Sequence, residues 1–247
     1  MSRKHRSGQS QTPQDSSPKI PQRDKLKGQF LIRELNWTDR QKNFINLATA
    51  KETNLILVRG PAGASKTVIS TFCALTLLNQ HRVSDILYVR AAVESADSKL
   101  GFMPGDLETK ISYYGIPFAD KLDELLDKNT IVGLHKEKRI EILPVNYLRG
   151  VSWNAKYILV DEAQNLTQKE LITILTRIGK FTKCIVMADP DQSDINGKSG
   201  GFNMTYDLFN DEESKSKGIF TFEFEEKDIM RSELTKYLVH RFKELKK

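Results

Sequence analysis

Four short, almost unbroken apolar runs constrain this chain more than any other feature. They are NLILVRG (54–60), DILYVRA (85–91), KYILVDEA (156–163) and KCIVMAD (183–189). A strand with one face in water alternates apolar and polar residues, whereas a strand covered on both faces reads as continuous. A fifth run, IFTFEF (219–224), is weaker. Helix-like stretches at 66–80, 167–178 and near 231–246 lie between or after the runs. The alternation predicts an α/β fold with a mostly parallel central sheet flanked by helices. Before the first run, TDRQKNFINLATA (38–50) predicts a helix capped by Thr38, with Phe44, Ile45 and Leu47 at helical spacing. The interval 92–155 is too long for one crossover. It reads as an insertion holding a Gly/Pro-rich loop, a helix near 106–127 and a short extra strand near 138–143. There is no internal repeat and no heptad array.

No apolar run approaches the ~18 residues of a membrane span, so no membrane partner is expected. The N-terminus is basic but has no apolar stretch behind it, unlike a secretory signal. The cysteines, Cys73 and Cys184, have no metal-ligand spacing. Buried free thiols in a reducing cytoplasm are the expectation. The net charge of +6 is uneven. Residues 1–28 hold seven Lys/Arg against Asp15 and Asp24, which is +5 and leaves about +1 for the rest. They are expected to form a disordered basic arm, either a solubilising tail or a salt-sensitive contact to nucleic-acid phosphates. Residues 29–247 then form a single domain.

The first run leads into LVRGPAGASKTVIS (57–70). A phosphate-binding loop has the pattern G-x-x-x-x-G-K-[ST]. Gly60, Pro61, Ala62, Gly63, Ala64, Ser65, Lys66 and Thr67 fill its places, with Ser65 where the pattern has glycine. Backbone N–H groups at a helix N-terminus suit phosphate. The lysine reaches the β- and γ-phosphates, and the hydroxyl binds magnesium. Lys66 and Thr67 are therefore candidates for holding ATP and Mg2+. The plain alternative is a strand–turn–helix link with a chance lysine; the preceding strand, two glycines and adjacent Lys-Thr weigh against it. Ser65 adjoins the helix start, so a negative φ is expected there, which serine tolerates; a positive φ would resist it.

The run YILVDEAQN (157–165) ends in Asp161 and Glu162. Ligands in open α/β sheets bind at the C-terminal ends of strands. An aspartate there can hold magnesium through water, and the next glutamate can activate the attacking water. A surface acidic pair is the alternative. IVMADPDQ (185–192) ends in Asp189 and Gln192. That glutamine could sense a γ-phosphate or orient water, or simply sit in a turn. Arg90, Arg149, Arg177 and Arg231 stand at polar edges, where an arginine is either solvated or, on a γ-phosphate, worth ~10³–10⁵ in rate.

Taken in order, GPAGASKT, RAAVESADSKLGFMPGDLETK, YLRG, ILVDEAQN, LTRIG, ADPDQSDI and DIMRSELT resemble the PhoH-like family. These are P-loop ATPases akin to superfamily 1 helicases. The resemblance spans roughly residues 38–240, and KLGFMPGDLETK has no meaning as a generic ATPase motif. It implies one RecA-like P-loop NTPase domain. It puts Lys66 and Thr67 on phosphate and magnesium, Asp161 and Glu162 at the magnesium and water site, and Gln192 at the γ-phosphate. Arg231 resembles an arginine finger or helicase-type sensor. Gln41, a looser match, resembles the glutamine that contacts adenine. Arg90 and Arg177 match in position, with γ-phosphate, RNA and a neighbouring subunit all open as contacts. A homo-oligomer such as a hexameric ring is implied too. The short length and basic arm resemble the compact members of tailed bacteriophages, acting in the host cytoplasm. Ser65, Ala188 in place of a glycine, and the missing histidine after Arg231 depart from the family pattern and bear on turnover. Some relatives carry a fused nuclease domain; the 37 residues before Thr38 are too few for one, so nuclease activity is not expected by that route.

The leading expectation is a magnesium-dependent ATPase coupled to RNA or single-stranded nucleic acid. The departures motivate an alternative, a nucleotide-gated binding protein with little turnover. A small-metabolite kinase fits less well, because residues 92–155 lack a substrate lid with clustered arginines.

Overall fold

Every strand among the described residues points the same way. In this computed structural model the described residues are 26, 28–91, 107–145, 148, 152–193, 200–229, 234, 237 and 241, with backbone alone over 107–113. The expected basic arm (apart from residues 26 and 28), the Gly/Pro-rich loop, Arg149, Arg231 and most of the final helix lie outside them; Leu234, Tyr237 and Arg241 are helical. The strands are β1 (Leu55–Arg59), β2 (Asp85–Arg90), β3 (Ile140–Pro144), β4 (Lys156–Asp161), β5 (Lys183–Ala188) and β6 (Ile219–Glu223). They form one sheet in the order β3-β2-β4-β5-β1-β6, with all pairings parallel. Parallel pairing brings all the C-terminal strand ends to one edge, and the residues that follow them share that edge.

Helices cover both faces. They are α1 (Asp39–Thr49), α2 (Lys66–Asn79), α3 (Leu107–Leu125), α4 (Lys128–Lys136), α5 (Gln168–Leu175), α6 (Phe202–Leu208) and α7 (Glu212–Ser216). The apolar runs divide by parity, as the period of two in a strand requires. Ile56, Val58, Ile86, Tyr88, Tyr157, Leu159, Ile185 and Met187 join one core with α1, α2 and α3. Leu55, Leu57, Leu87, Val89, Ile158, Val160, Cys184 and Val186 join the other with α5 and α6. This is why the runs are continuous in sequence.

The expected extra strand is β3, which pairs with β2 from Ile86↔Ile140 onward. The interval 92–155 therefore adds an edge strand to the sheet itself. Its second helix, α4, was not foreseen; Asp127 caps it by accepting from the N–H groups of Asn129 and Thr130. α6 and α7, with 7 and 5 residues, are too short to show a periodic pattern. Helix α1 begins as expected, with a reciprocal capping box between Thr38 and Gln41. Its Phe44 packs on Phe222 and Phe224, at centroid distances of 5.1 and 5.4 Å.

Candidate active site

Gly60 to Ser65 bridge the C-terminal end of β1 and the start of α2. Gly60 sits where a Cβ would lie 2.8 Å from Phe224 Cβ, so only glycine fits without a shift. Gly63 has φ +85°, which glycine adopts freely. Ser65 overturns the expectation of a negative φ: its φ is +63° and ψ +18°, in the left-handed region. The chain must leave the loop and enter a helix with its N–H groups facing inward, and alternating handedness makes such an anion-binding hollow. The seryl side chain makes no capping bond to α2. Lys66 Nζ lies back over the loop, donating to Gly60 O at 2.6 Å and Pro61 O at 3.0 Å.

Asp161 ends β4 beside the start of α2, 7% exposed. Its Oδ2 accepts from Thr67 Oγ1 at 3.2 Å and from the Tyr88 hydroxyl at 2.8 Å. Its Oδ1 accepts from the Glu162 N–H at 3.0 Å. Burial, with the Asp161 charge beside it, pushes the Tyr88 phenol far above its ordinary range and keeps it a donor. Glu162 is also left-handed, at φ +56°. Backbone held in such sparsely populated regions collects at functional sites.

Glu162 is tied on both sides. Its Oε2 accepts from Gln164 Nε2 at 2.6 Å, and its Oε1 lies 3.8 Å from the Arg90 guanidinium. Gln164, 4% exposed, accepts the Asp189 N–H on its Oε1 at 3.0 Å. One amide thus joins the end of β4 to the end of β5. Burial raises the Asp189 carboxyl, and the Lys66 charge opposes that shift.

These groups line a cavity of about 550 Å³ that includes Ala62, Gly63, Lys66, Thr67, Asp161, Glu162, Asp189 and Gln192. Leu35, Asn36 and Trp37, with Lys121 and Glu124 of α3, line the same cavity. Gln41 does not line it. Gln41 is fully buried, its Oε1 accepting from the Thr38 N–H at 2.9 Å and its Nε2 donating to Asp228 O at 3.4 Å. The geometry gives it a capping role, and an adenine contact rests on the resemblance alone.

A family model described as PhoH-like protein matches residues 35–243. The chain belongs to the PhoH-like family. Curated relatives agree. A PhoH-like protein of Synechocystis is 31% identical over 206 residues, covering 83% of this chain and 61% of the relative. One of Bacillus subtilis is 32% identical over 197 residues, covering 79% and 60%. Protein PhoH of Escherichia coli is 31% identical over 207 residues, covering 83% and 56%. The chain thus spans about three fifths of the length of these relatives.

Family membership and the all-parallel sheet make this PhoH-like chain a P-loop protein of RecA-like fold. The donor set suits Mg2+, which takes one or two carboxylates, a hydroxyl and substrate phosphates rather than a dedicated protein cage. Thr67 and Asp161 already share a hydrogen bond at the cavity, and no cluster of three His, Cys, Asp or Glu competes among the described residues. No described helix is long and apolar enough to cross a membrane.

Of the foreseen arginines, Arg90 reaches the site through Glu162. The Arg177 backbone accepts from the Trp153 N–H, just before β4 begins, at the opposite end of the sheet. Sequence reasoning missed Tyr88 and the bridging role of Gln164. Tyr88 had one signal: it is the polar-tipped ring inside DILYVRA, and buried tyrosines usually find a partner. The same signal fails for Tyr157, whose buried hydroxyl has no hydrogen-bond partner among the described residues.

Proposed function

We propose that this PhoH-like protein is a magnesium-dependent ATPase. The observation that supports this best is the meeting of Thr67 and Asp161 at 3.2 Å beside the phosphate loop, with Glu162 on the same cavity. Lys66 exchanges its loop carbonyls for the β- and γ-phosphates. Thr67 and Asp161 hold Mg2+, which neutralises phosphate charge when bound. Glu162 accepts a proton from water as the water oxygen bonds to the γ-phosphorus and the bond to the β–γ bridging oxygen breaks. Gln192 orients that water or senses the γ-phosphate, and Arg231 supplies charge to the same oxygens. The nucleoside end lies toward Leu35, Asn36 and Trp37. Coupling to RNA or single-stranded nucleic acid, and assembly into a homo-oligomer such as a hexameric ring, belong to the same proposal. Kinship with helicases supports them, since one RecA-like domain needs a second to make a moving cleft.

A nucleotide-gated binder with little turnover is the second reading. It is favoured by the double tie on Glu162, which must loosen before that carboxylate can serve water. Phosphate release with and without RNA separates the two, using wild type, Lys66→Ala and Glu162→Gln. The ATPase reading expects wild-type release, lost in both variants, with nucleotide still bound by Glu162→Gln. Wild-type release at background, with nucleotide bound, supports the gated binder. Light scattering with ATP and RNA tests assembly.

A further inference from the structure

The carboxylate assigned to magnesium has a neighbour that no phosphate-loop pattern contains. Tyr88 lies in β2, fully buried, and its hydroxyl donates to Asp161 Oδ2 at 2.8 Å. The same oxygen accepts from Thr67, and the other accepts from the Glu162 backbone. Rotating the carboxylate about its Cβ–Cγ bond would break bonds on both oxygens. The Tyr88 ring is held in turn by Phe118 of α3, with centroids 4.7 Å apart and planes 11° from parallel. Phe118 is itself fully buried. Three residues further along α3, Lys121 lines the nucleotide cavity.

We propose that Tyr88 is a positioning residue: clamped by the flat stack on Phe118, its hydroxyl fixes the rotamer in which Asp161 faces Thr67. This rests on the ATPase reading, because it gives Asp161 a metal to face. A simpler role, a buried phenol satisfying its own hydroxyl, explains less. Tyr157 in the adjacent strand is equally buried and keeps its place with no described partner. A carboxylate that must meet a metal in one orientation needs its rotamer fixed, and the Tyr88 hydroxyl on Oδ2 supplies one of the bonds that fix it. Outer partners of metal ligands typically affect metal affinity or activity by about 10–100-fold. The stack also means that α3, which forms part of the cavity wall, sets the position of the phenol.

The test is Tyr88→Phe, which keeps the ring and its stack and removes only the hydroxyl. A fluorescent ADP analogue is titrated into wild type and variant at several Mg2+ concentrations, and phosphate release is followed in parallel. The expected result is a Mg2+ midpoint for nucleotide binding raised about ten-fold, Mg2+-free affinity unchanged, and turnover recovering at saturating Mg2+. Phe118→Leu, which keeps the hydroxyl but loosens the ring, is expected to shift the midpoint in the same direction by less. A midpoint within two-fold of wild type in a folded Tyr88→Phe overturns the inference. So does an equal loss of Mg2+-free and Mg2+-dependent affinity, which would mark general loosening. Wild type that binds nucleotide with no Mg2+ dependence overturns the ATPase reading, and this inference with it.

Discussion

Ser65→Gly is expected to make the protein more stable without making it bind nucleotide much better. An N-cap serine ordinarily contributes ~1 kcal/mol through its hydroxyl. Here φ is +63° and the hydroxyl makes no capping bond, so its removal forfeits nothing at that position. Holding an L-residue in the left-handed region costs ~1–2 kcal/mol. Glycine escapes that cost but adds ~0.4–1 kcal/mol of freedom to the unfolded chain. The balance is a gain of about 0.8 kcal/mol, and at ~2–4 °C per kcal/mol for a domain of this size Tm rises by about 2–3 °C. Ser65→Ala keeps the Cβ and is expected to melt with wild type, which isolates the backbone as the cause. The strain is carried with and without nucleotide, so affinity for a fluorescent ADP should move by less than about three-fold. Thermal melts without nucleotide, followed by equilibrium titration, measure both. Equal melting of the glycine and alanine variants would refute the strain argument. A sharp gain in affinity would show that the serine opposes phosphate directly.

Gly60→Ala places a Cβ 2.8 Å from Phe224 Cβ and 3.0 Å from Phe224 O. Overpacking of this kind costs ~1–3 kcal/mol, so Tm without nucleotide should fall by several degrees; unchanged melting would mean that the segment after β6 yields freely. Lys183, 8% exposed, donates to Ala50 O and Thr53 O, and burial brings its ammonium down to about 8. Its folded value is lower than its unfolded one, so the penalty is fully present below pH 8, and stability rises with pH from there toward the ordinary lysine value. Chemical denaturation from pH 7 to 10 should show that slope in wild type and a flatter one in Lys183→Met, and parallel slopes would remove the assignment.

The four central strands, β1, β2, β4 and β5, were legible because a sheet covered on both faces leaves no water-facing position inside them. Helix α1 was legible in TDRQ, whose Thr38 and Gln41 have the spacing of a reciprocal cap. Ser65 was misread because its φ is set by the inward turn of the loop, a demand no neighbouring residue announces. The Tyr88–Asp161 contact joins residues on neighbouring strands, 73 positions apart, and Phe118 arrives from a third element. Such meetings follow from strand order, which local patterns do not encode. Gln164 was visible in DEAQN, but that it spans to the Asp189 backbone depends on β5 lying beside β4.

The two cysteines fall on opposite sides of the sheet. Cys73 belongs to the core under α2 and Cys184 to the core under α5 and α6. Both are fully buried, and burial pushes each thiol well above its usual range, against a small opposing backbone hydrogen bond at Cys73. The folded protein is therefore inert to alkylation at either site, and each cysteine reacts only when its own layer parts from the sheet. The chain carries two built-in clocks. The ratio of their labelling rates, read by mass spectrometry with no probe introduced, tells whether the two layers peel away separately or the whole domain opens at once.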